Sequence, residues 1–187
     1  MADAARKLAT YEDLLAVPDD LVAELLGGEL ITHPRPALAH ATAASSLGGD
    51  LHTPFQRGRG GPGGWVFLDE PELHLDADVL VPDLAGWRRE RVPDLTASFS
   101  DVPPDWVCEV LSDRTRRTDR VRKMPIYARA GVGHLWLLDP IDRTLEVFRR
   151  HEATWLLVAS HEGEQVIRAE PFEAIELALA PIWNPLA

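Results

Sequence analysis

A short apolar run with one acid in its middle, Trp106-Val107-Cys108-Glu109-Val110-Leu111, sets the interpretation of this chain. Its length and composition predict a strand that is covered on both faces, as in the core of an α/β protein. A carboxylate inside such a strand is costly unless it is paired, hydrogen-bonded or bound to a metal ion. Glu109 is therefore the first candidate for a functional residue.

A second acid lies in a similar run, Val79-Leu80-Val81-Pro82-Asp83-Leu84. Asp83 follows Pro82 directly, and a proline within a sheet belongs at an edge or a bulge. If the two strands are neighbours, Asp83 and Glu109 lie about 4 Å apart and repel each other by roughly 4 kcal/mol at an effective dielectric constant of about 20. A cation would relieve this repulsion, and oxygen ligands favour Mg²⁺ or Mn²⁺ over zinc. The two acids predict a divalent-metal site of the kind that hydrolyses phosphodiesters.

A lysine completes this candidate set. Lys123 falls within a predicted helix over residues 118–130, and it is one of only two lysines, the other being Lys7. A compact ammonium group can orient an attacking water or neutralise charge in the transition state. Asp119 and Tyr127 lie four residues before and after it, on the same helix face. An ordinary Asp119–Lys123 helix ion pair is the alternative interpretation.

The charges are unevenly distributed. The net charge is −11, which argues against a protein that coats nucleic acid through bulk electrostatics. Residues 69–83 contain six acids and no Lys or Arg, whereas residues 114–129 contain seven bases and one acid. This pattern suits a cation-dependent enzyme that acts on a polyanion. It is equally compatible with a solvated helix face opposite an acidic hairpin.

Length and composition indicate an ordinary globular protein. The 187 residues predict one domain over residues 1–187 with a single core. The sequence has no apolar run long enough to span a bilayer and no signal-peptide core at its start, so no membrane association is expected. Cys108 is the only cysteine, which favours a reducing, cytoplasmic setting.

The hydrophobic periodicity and the positions of glycine and proline predict a mixed sheet flanked by helices. This is an α/β (α+β) architecture with antiparallel hairpins at the C-terminal end. Thr10 is a candidate helix N-cap, and residues 57–64 are glycine-rich and predict a mobile loop. A hairpin is expected to join residues 65–68 to residues 72–75 around the intervening turn. The predicted helices are residues 18–26, 39–55 and 118–130. The predicted strands are residues 29–33, 65–68, 72–75, 79–87, 106–111, 134–138, 144–149, 155–160 and 165–168.

Ordered motifs across roughly residues 10–150 resemble one protein family. The motifs are Gly28-Glu29-Leu30, Val81-Pro82-Asp83, Cys108-Glu109-Val110-Leu111-Ser112, Thr115-Arg116-Arg117-Thr118-Asp119, Lys123, Tyr127-Ala128-Arg129-Ala130-Gly131-Val132 and Leu135-Trp136-Leu137-Leu138-Asp139-Pro140. Together they are similar to the Uma-type restriction endonuclease family of the PD-(D/E)XK nuclease superfamily. The resemblance implies a restriction-endonuclease-like fold, Mg²⁺-dependent (or Mn²⁺-dependent) cleavage of DNA, and a homodimer.

The resemblance also implies roles for individual residues. In the superfamily pattern, Asp83 and Glu109 are the two metal-binding acids, and the lysine is expected at the position of Leu111. Here that role moves to Lys123 on the following helix. An acid from the first predicted helical region often joins such sites, with Glu24 as the first candidate and Glu29 as the second.

Other polar residues carry weaker signals. His40 opens a predicted helix and could reach the substrate, but a surface histidine is the favoured interpretation. Ser112 and Thr115 either contact a phosphate or cap a turn. Cys108 is interpreted as a small core residue rather than as a nucleophile.

Three functions remain open from the sequence. The leading hypothesis is a metal-dependent DNA endonuclease in which Asp83, Glu109, Lys123 and Glu24 are catalytic. The second is a catalytically silent module that keeps the nuclease scaffold and binds nucleic acid or protein, which the acidic charge favours. The third is a structural dimerisation domain whose buried acids merely pair with arginines.

Overall fold

Strands dominate the computed structural model, which describes residues 8–184 and 186. The strands are β1 (Leu21–Leu26), β2 (Glu29–Pro34), β3 (Trp65–Asp69), β4 (Leu73–Leu75), β5 (Asp78–Leu80), β6 (Leu84–Arg88), β7 (Trp106–Val110), β8 (His134–Asp139), β9 (Thr144–His151), β10 (Thr154–Glu162), β11 (Val166–Ile167) and β12 (Leu177–Ala178). The α-helices are α1 (Tyr11–Leu15), α2 (Leu38–Leu51), α3 (Arg116–Thr118), α4 (Met124–Ala130) and α5 (Ala180–Trp183). Short π-helical segments cover His52–Gln56 and Asp119–Lys123, and a 3₁₀ turn covers Arg89–Arg91.

The strands form one large sheet and two smaller ones. The six-stranded sheet has the order β10-β9-β8-β7-β6-β3, and its β7–β8 pair is parallel while its other pairs are antiparallel. A four-stranded antiparallel sheet has the order β2-β1-β5-β4, and β11 pairs with β12. Helices flank the large sheet, so the predicted mixed sheet with antiparallel C-terminal hairpins is confirmed.

The two faces of the large sheet bury different clusters. Trp106, Cys108 and Val110 of β7 belong to the cluster that packs beneath α2 and α5. The intervening Val107 belongs to the cluster that includes α4 and the four-stranded sheet. Because side chains alternate along a strand, Glu109 projects on the same side as Val107, toward α4.

The predicted helix over residues 18–26 is wrong, because this segment forms β1. Gly27 and Gly28 have φ values of +60° and +76°, and Leu26 pairs with Glu29 across them. Two residues with positive φ form the tight turn that a right-twisted hairpin favours. The glycine pair therefore connects two strands instead of ending a helix, and it places Glu24 on a strand.

The predicted strand over residues 79–87 is divided between the two sheets. Pro82 interrupts it, so that β5 pairs with β1 and β4, whereas β6 pairs with β3 and β7. The predicted pairing of residues 65–68 with 72–75 is also wrong, because β4 forms its hairpin with β5. Leu75 pairs with Asp78 across that tight turn.

The predicted helix over residues 118–130 begins slightly earlier, at Arg116, and is not uniform. A π-helical segment precedes α4, and Pro125 lies in the first turn of α4, where its missing N–H is tolerated. Gly131, at φ +91°, ends the helix in the left-handed conformation.

Thr10 is the N-cap of α1, as predicted, and it forms reciprocal hydrogen bonds with Asp13. Within the residues described, no helix is both long and apolar enough to cross a membrane.

Candidate active site

A cavity of about 510 Å³ opens where the two larger sheets meet. The acids and the lysine predicted from the sequence contribute to its wall. These residues are Glu24 from β1, Asp83 from the β5–β6 connection, Glu109 from β7 and Lys123 from the π-helical segment. Asp119 also lines the cavity, whereas Glu29 is bound by Arg122 (Oε2–Nη1 2.6 Å) outside it.

The register of β6 and β7 places the two predicted metal-binding acids side by side. Leu84 pairs with Cys108 at the end of this antiparallel ladder, and Asp83 and Glu109 are the next residues beyond that pair on the two chain segments. Asp83 Oδ2 accepts a hydrogen bond from the Val110 N–H at 2.6 Å, which fixes its carboxylate at the end of the β6–β7 ladder.

Glu109 is held on both carboxylate oxygens. Its Oε1 accepts a hydrogen bond from the Tyr127 hydroxyl at 2.6 Å, and its Oε2 lies 3.2 Å from Lys123 Nζ. The side chain is almost fully buried. Both partners come from the helical crossover between β7 and β8, so this connection supplies the groups that orient the acid.

Lys123 lies among three carboxylates. Its Nζ is 2.9 Å from Glu24 Oε1, 3.2 Å from Glu109 Oε2 and 3.4 Å from Asp119 Oδ1. Burial lowers the pKa of Lys123, but the charges of Glu109, Glu24 and Asp119 outweigh burial and raise it well above its ordinary value. The Asp119–Lys123 helix pair therefore exists, but it is one side of a larger buried cluster.

Glu24 reaches this cluster from the middle of β1. Its Oε1 accepts a hydrogen bond from the Val81 N–H at 2.8 Å, at the point where Pro82 breaks the strand. Its Oε2 is buried and accepts no hydrogen bond within the described residues, and His33 Nε2 lies 3.8 Å from it. Glu24 therefore ties the small sheet to the site and presents one unsatisfied oxygen.

His40 belongs to the site, so its interpretation as a surface histidine is wrong. Its Nε2 lies 3.3 Å from Asp83 Oδ1, and its side chain is only 12% exposed. Burial lowers its pKa, but the hydrogen bond and the charge of Asp83 outweigh burial and raise it above the ordinary value. The sequence signal is limited to its position in the first turn of α2, which does not reveal that this turn faces Asp83.

The cluster has an excess of negative charge. Glu109, Glu24 and Asp119 surround a single ammonium group, and Asp83 lines the same cavity. Burial raises the pKa of Glu109 well above its usual range, with further contributions from nearby acids, although Lys123 opposes the shift. Burial likewise raises the pKa of Asp119 to about 6. An additional cation would let these acids ionise together.

The donor set fits a hard divalent cation chemically, but it does not form a ready-made cage. Across residues 8–184 and 186, no three His, Cys, Asp or Glu side chains are grouped closely enough to hold a metal ion. Asp83 and Glu109 nevertheless supply oxygen donors to one cavity. Among the described residues, the buried oxygens Glu24 Oε2 and Asp119 Oδ1 accept no hydrogen bond, although Asp119 Oδ1 forms an ion pair with Lys123. Carboxylate oxygens of this kind suit Mg²⁺ or Mn²⁺.

Most bases of the segment 114–129 bind acids of the protein itself. They therefore do not form a free cationic helix face. The pairs are Arg116–Asp139 (2.9 Å), Arg120–Glu146, Arg122–Glu29 (2.6 Å) and Arg129–Asp78 (3.3 Å).

Two weaker sequence candidates line or approach the cavity. Ser112 Oγ lies 3.0 Å from Thr115 Oγ1 and accepts the Thr115 N–H at 3.2 Å, so the pair caps a turn at the cavity wall. Cys108 is fully buried, and burial raises the pKa of its thiol well above its usual value. A protonated thiol in the core is no nucleophile, which agrees with the structural interpretation.

Comparison with known proteins identifies the family of this chain. The fold is similar to the crystal structure of a putative nuclease belonging to DUF820 from Anabaena variabilis ATCC 29413, with a TM-score of 0.76 and 19% identity. That match covers 96% of this chain and 99% of the other. No curated protein is significantly similar in sequence. Residues 8–180 match the Uma2 family, which is described as "Putative restriction endonuclease". Since this match spans nearly the whole sequence, the chain belongs to the Uma2 restriction endonuclease family.

Proposed function

We propose that this protein is a metal-dependent endonuclease that hydrolyses phosphodiester bonds in DNA. The observation that carries the proposal is the convergence of Asp83, Glu109 and Lys123 on one cavity, with Lys123 Nζ 3.2 Å from Glu109 Oε2. Nuclease chemistry follows from the Uma2 family, while the metal requirement and the DNA substrate are our inference.

Each residue has a role that its surroundings support. Lys123 keeps its proton, because three carboxylates surround it, so it donates to an oxyanion and does not act as a general base. Tyr127 fixes the rotamer of Glu109 through the hydrogen bond to Oε1. His40 and the Val110 N–H hold the two oxygens of Asp83 in the same way.

The metal would occupy the acidic side of the cavity. Asp83 and Glu109 would hold Mg²⁺ or Mn²⁺, which when bound supplies Lewis-acid activation of water and of the phosphate. Glu24 joins them in the proposed catalytic set, since its unbonded Oε2 and its contact with Lys123 are part of the same charged cluster.

The test is cleavage of plasmid and linear DNA with and without Mg²⁺ or Mn²⁺. Asp83→Asn and Glu109→Gln should abolish the cleavage and keep the circular-dichroism spectrum of the folded protein. Glu146→Gln is the matched control, because Glu146 is a carboxylate bound by Arg120 away from the cavity. Full activity in either site variant would reject the assignment.

A homodimer fits the outer edge of the large sheet. Within the part of the chain that is described, β10 pairs with β9 only, and its other edge can take a strand from a second copy of the chain. Leu156 and Leu157 on this strand are half-exposed. Size-exclusion chromatography with light scattering should give twice the monomer mass, and Leu157→Lys should shift the protein toward monomer. A wild-type monomer at micromolar concentration would contradict this.

We also propose that residues 1–187 form one domain in a reducing, cytoplasmic setting. Residues from both larger sheets share one apolar cluster, and the family match runs through both of them. Cys108 is the only cysteine and it is buried, so the fold needs no oxidation. A single cooperative unfolding transition that is unaffected by reductant is the expected result.

A catalytically silent nuclease-fold module is the second candidate. Two observations favour it: the net charge of −11, and the absence of a grouped set of metal-binding side chains among the residues described. Titration calorimetry with MnCl₂ separates the candidates. A silent module gives no heat that depends on Asp83, whereas the endonuclease gives heat that Asp83→Asn removes.

A further inference from the structure

The active-site cavity continues into a second cavity of about 610 Å³. Pro36, His40, Glu70 and Asp83 line both, so the two form one groove with Asp83 and His40 near its middle. The groove passes along α2, between the turn after β7 at one end and the end of the π-helical segment His52–Gln56 at the other.

Each end of this groove carries an exposed arginine that has no acidic partner among the described residues. Arg114 lines the first cavity and Arg57 lines the second. Neither makes an ion pair or a side-chain hydrogen bond in the part of the chain that the structure describes. The other arginine on the wall, Arg35, is paired with Glu70 at 3.3 Å. In so acidic a chain, two unpaired cations at the ends of one groove are available for an anionic ligand.

The middle of the groove has the opposite character. Asp83 lies there, and Asp69 lines the second cavity beside it. Phosphates would be repelled along this floor and attracted at the two ends. The backbone beside Arg57 is fixed, because the Arg57 N–H donates to the His52 carbonyl and the Arg59 N–H donates to the Thr53 carbonyl, both at 3.0 Å.

We infer that the groove is the path of one nucleic-acid strand, in which Arg57 and Arg114 bind phosphates upstream and downstream of the one that Asp83 and Glu109 face. The inference rests on the proposed function, from which it takes the class of substrate. Arginine contacts to phosphate fix the register of a strand without reading its sequence. The two arginines are positioning residues, because they act on phosphates that are not cleaved.

The experiment measures binding of a 5′-fluorescein single-stranded oligodeoxynucleotide by anisotropy in EDTA, over a range of NaCl concentrations. Arg57→Ala and Arg114→Ala should each weaken binding about tenfold, as expected for a lost charge-assisted hydrogen bond. Each should also lower the slope of log K against log salt by about 0.7. Arg117→Ala is the matched control, since Arg117 is exposed and unpaired in the described residues but lines neither cavity.

Three results would overturn the inference. They are no binding by the wild-type protein at low salt, losses in Arg57→Ala and Arg114→Ala no larger than in Arg117→Ala, and an unchanged salt slope. A failure of the proposed nuclease activity would give a different result from a failure of the groove assignment. A protein that binds through both arginines but cuts no DNA with any divalent metal refutes catalysis and leaves the groove assignment intact.

Discussion

Lys123 Nζ lies 3.2 Å from Glu109 Oε2, although the two residues belong to different elements and are both almost fully buried. The contact brings a base from the helical crossover onto an acid at the centre of the large sheet. Because Glu24 and Asp119 also approach the same nitrogen, Lys123 stabilises three buried carboxylates at once. The arrangement links the stability of the site to its proposed chemistry.

Removing Lys123 should be costly, because it leaves buried carboxylates without a counter-charge. We expect Lys123→Met to lower the free energy of unfolding by about 3–5 kcal/mol at pH 8. The loss should shrink at pH 5, where Asp119, with a pKa of about 6, is mostly protonated. Urea denaturation of the wild type and of Lys123→Met at pH 8 and pH 5 measures this loss of unfolding free energy. Arg120→Met, at a more exposed pair with Glu146, should cost no more than about 1 kcal/mol, and an equal cost in both variants would contradict the account.

Asp119 should make the metal-free protein less stable as the pH rises. Its folded pKa of about 6 exceeds its unfolded value of about 3.9, so the folded state binds more protons between these values. Its contribution is present in full below pH ~4 and is lost, by roughly 3 kcal/mol, as the pH passes through 6. Urea titrations in EDTA from pH 4 to 8 should show this slope in the wild type.

The slope should flatten in Asp119→Asn. The control is Asp142→Asn, which changes an exposed acid and should keep the wild-type pH profile. An Asp119→Asn protein whose stability falls between pH 4 and 7 as steeply as that of the wild type would show that Asp119 does not cause the slope.

Tyr127 orients Glu109, so Tyr127→Phe should leave Glu109 Oε1 buried without this hydrogen bond. We expect a loss of about 1–3 kcal/mol in unfolding free energy, together with slower DNA cleavage at saturating substrate. Tyr11→Phe removes a similar bond, from the Tyr11 hydroxyl to Glu72 Oε1 at 2.7 Å, at a more exposed position. Thermal denaturation and cleavage kinetics should separate the two, with little change in kcat for Tyr11→Phe.

The β1–β2 turn should depend on its glycines. Gly28→Ala places a side chain at φ +76° and brings its Cβ to 2.7 Å from Leu8 Cδ2, which should cost about 1–2 kcal/mol. Gly49→Ala, within α2 and facing open space, should instead stabilise the fold by up to about 1 kcal/mol. Chemical denaturation should show a lower unfolding free energy for Gly28→Ala and a higher one for Gly49→Ala. A neutral Gly28→Ala would mean that this turn does not determine the position of Glu24.

Much of the fold follows from local patterns in the sequence. The strands around Asp83 and Glu109 can be predicted because each is an apolar run interrupted by one acid, and Lys123 stands out in a chain that otherwise uses arginine. The hairpin containing Glu24 is harder, because Gly27-Gly28 equally suits a helix end. Only the pairing of β1 with β5 decides between these possibilities.

Contacts between distant parts of the chain explain the remaining differences. His40 meets Asp83 across 43 positions, and Arg122 meets Glu29 across 93, so no local pattern reports either pair. The split of β5 from β6 depends on which sheet each half joins, although Pro82 marks the break. The arginines of segment 114–129 look alike in the sequence. Within the described residues, however, some pair with acids, whereas Arg114 and Arg117 do not, and of these two only Arg114 lines the groove.

The most direct test of the central claim is a crystal of the protein soaked in MnCl₂ and examined by anomalous diffraction. The account predicts one strong anomalous peak in contact with the carboxylates of both Asp83 and Glu109, which disappears in Asp83→Asn. No peak in the cavity, or a peak that contacts neither acid, would contradict the assignment of this site as a metal-dependent nuclease centre.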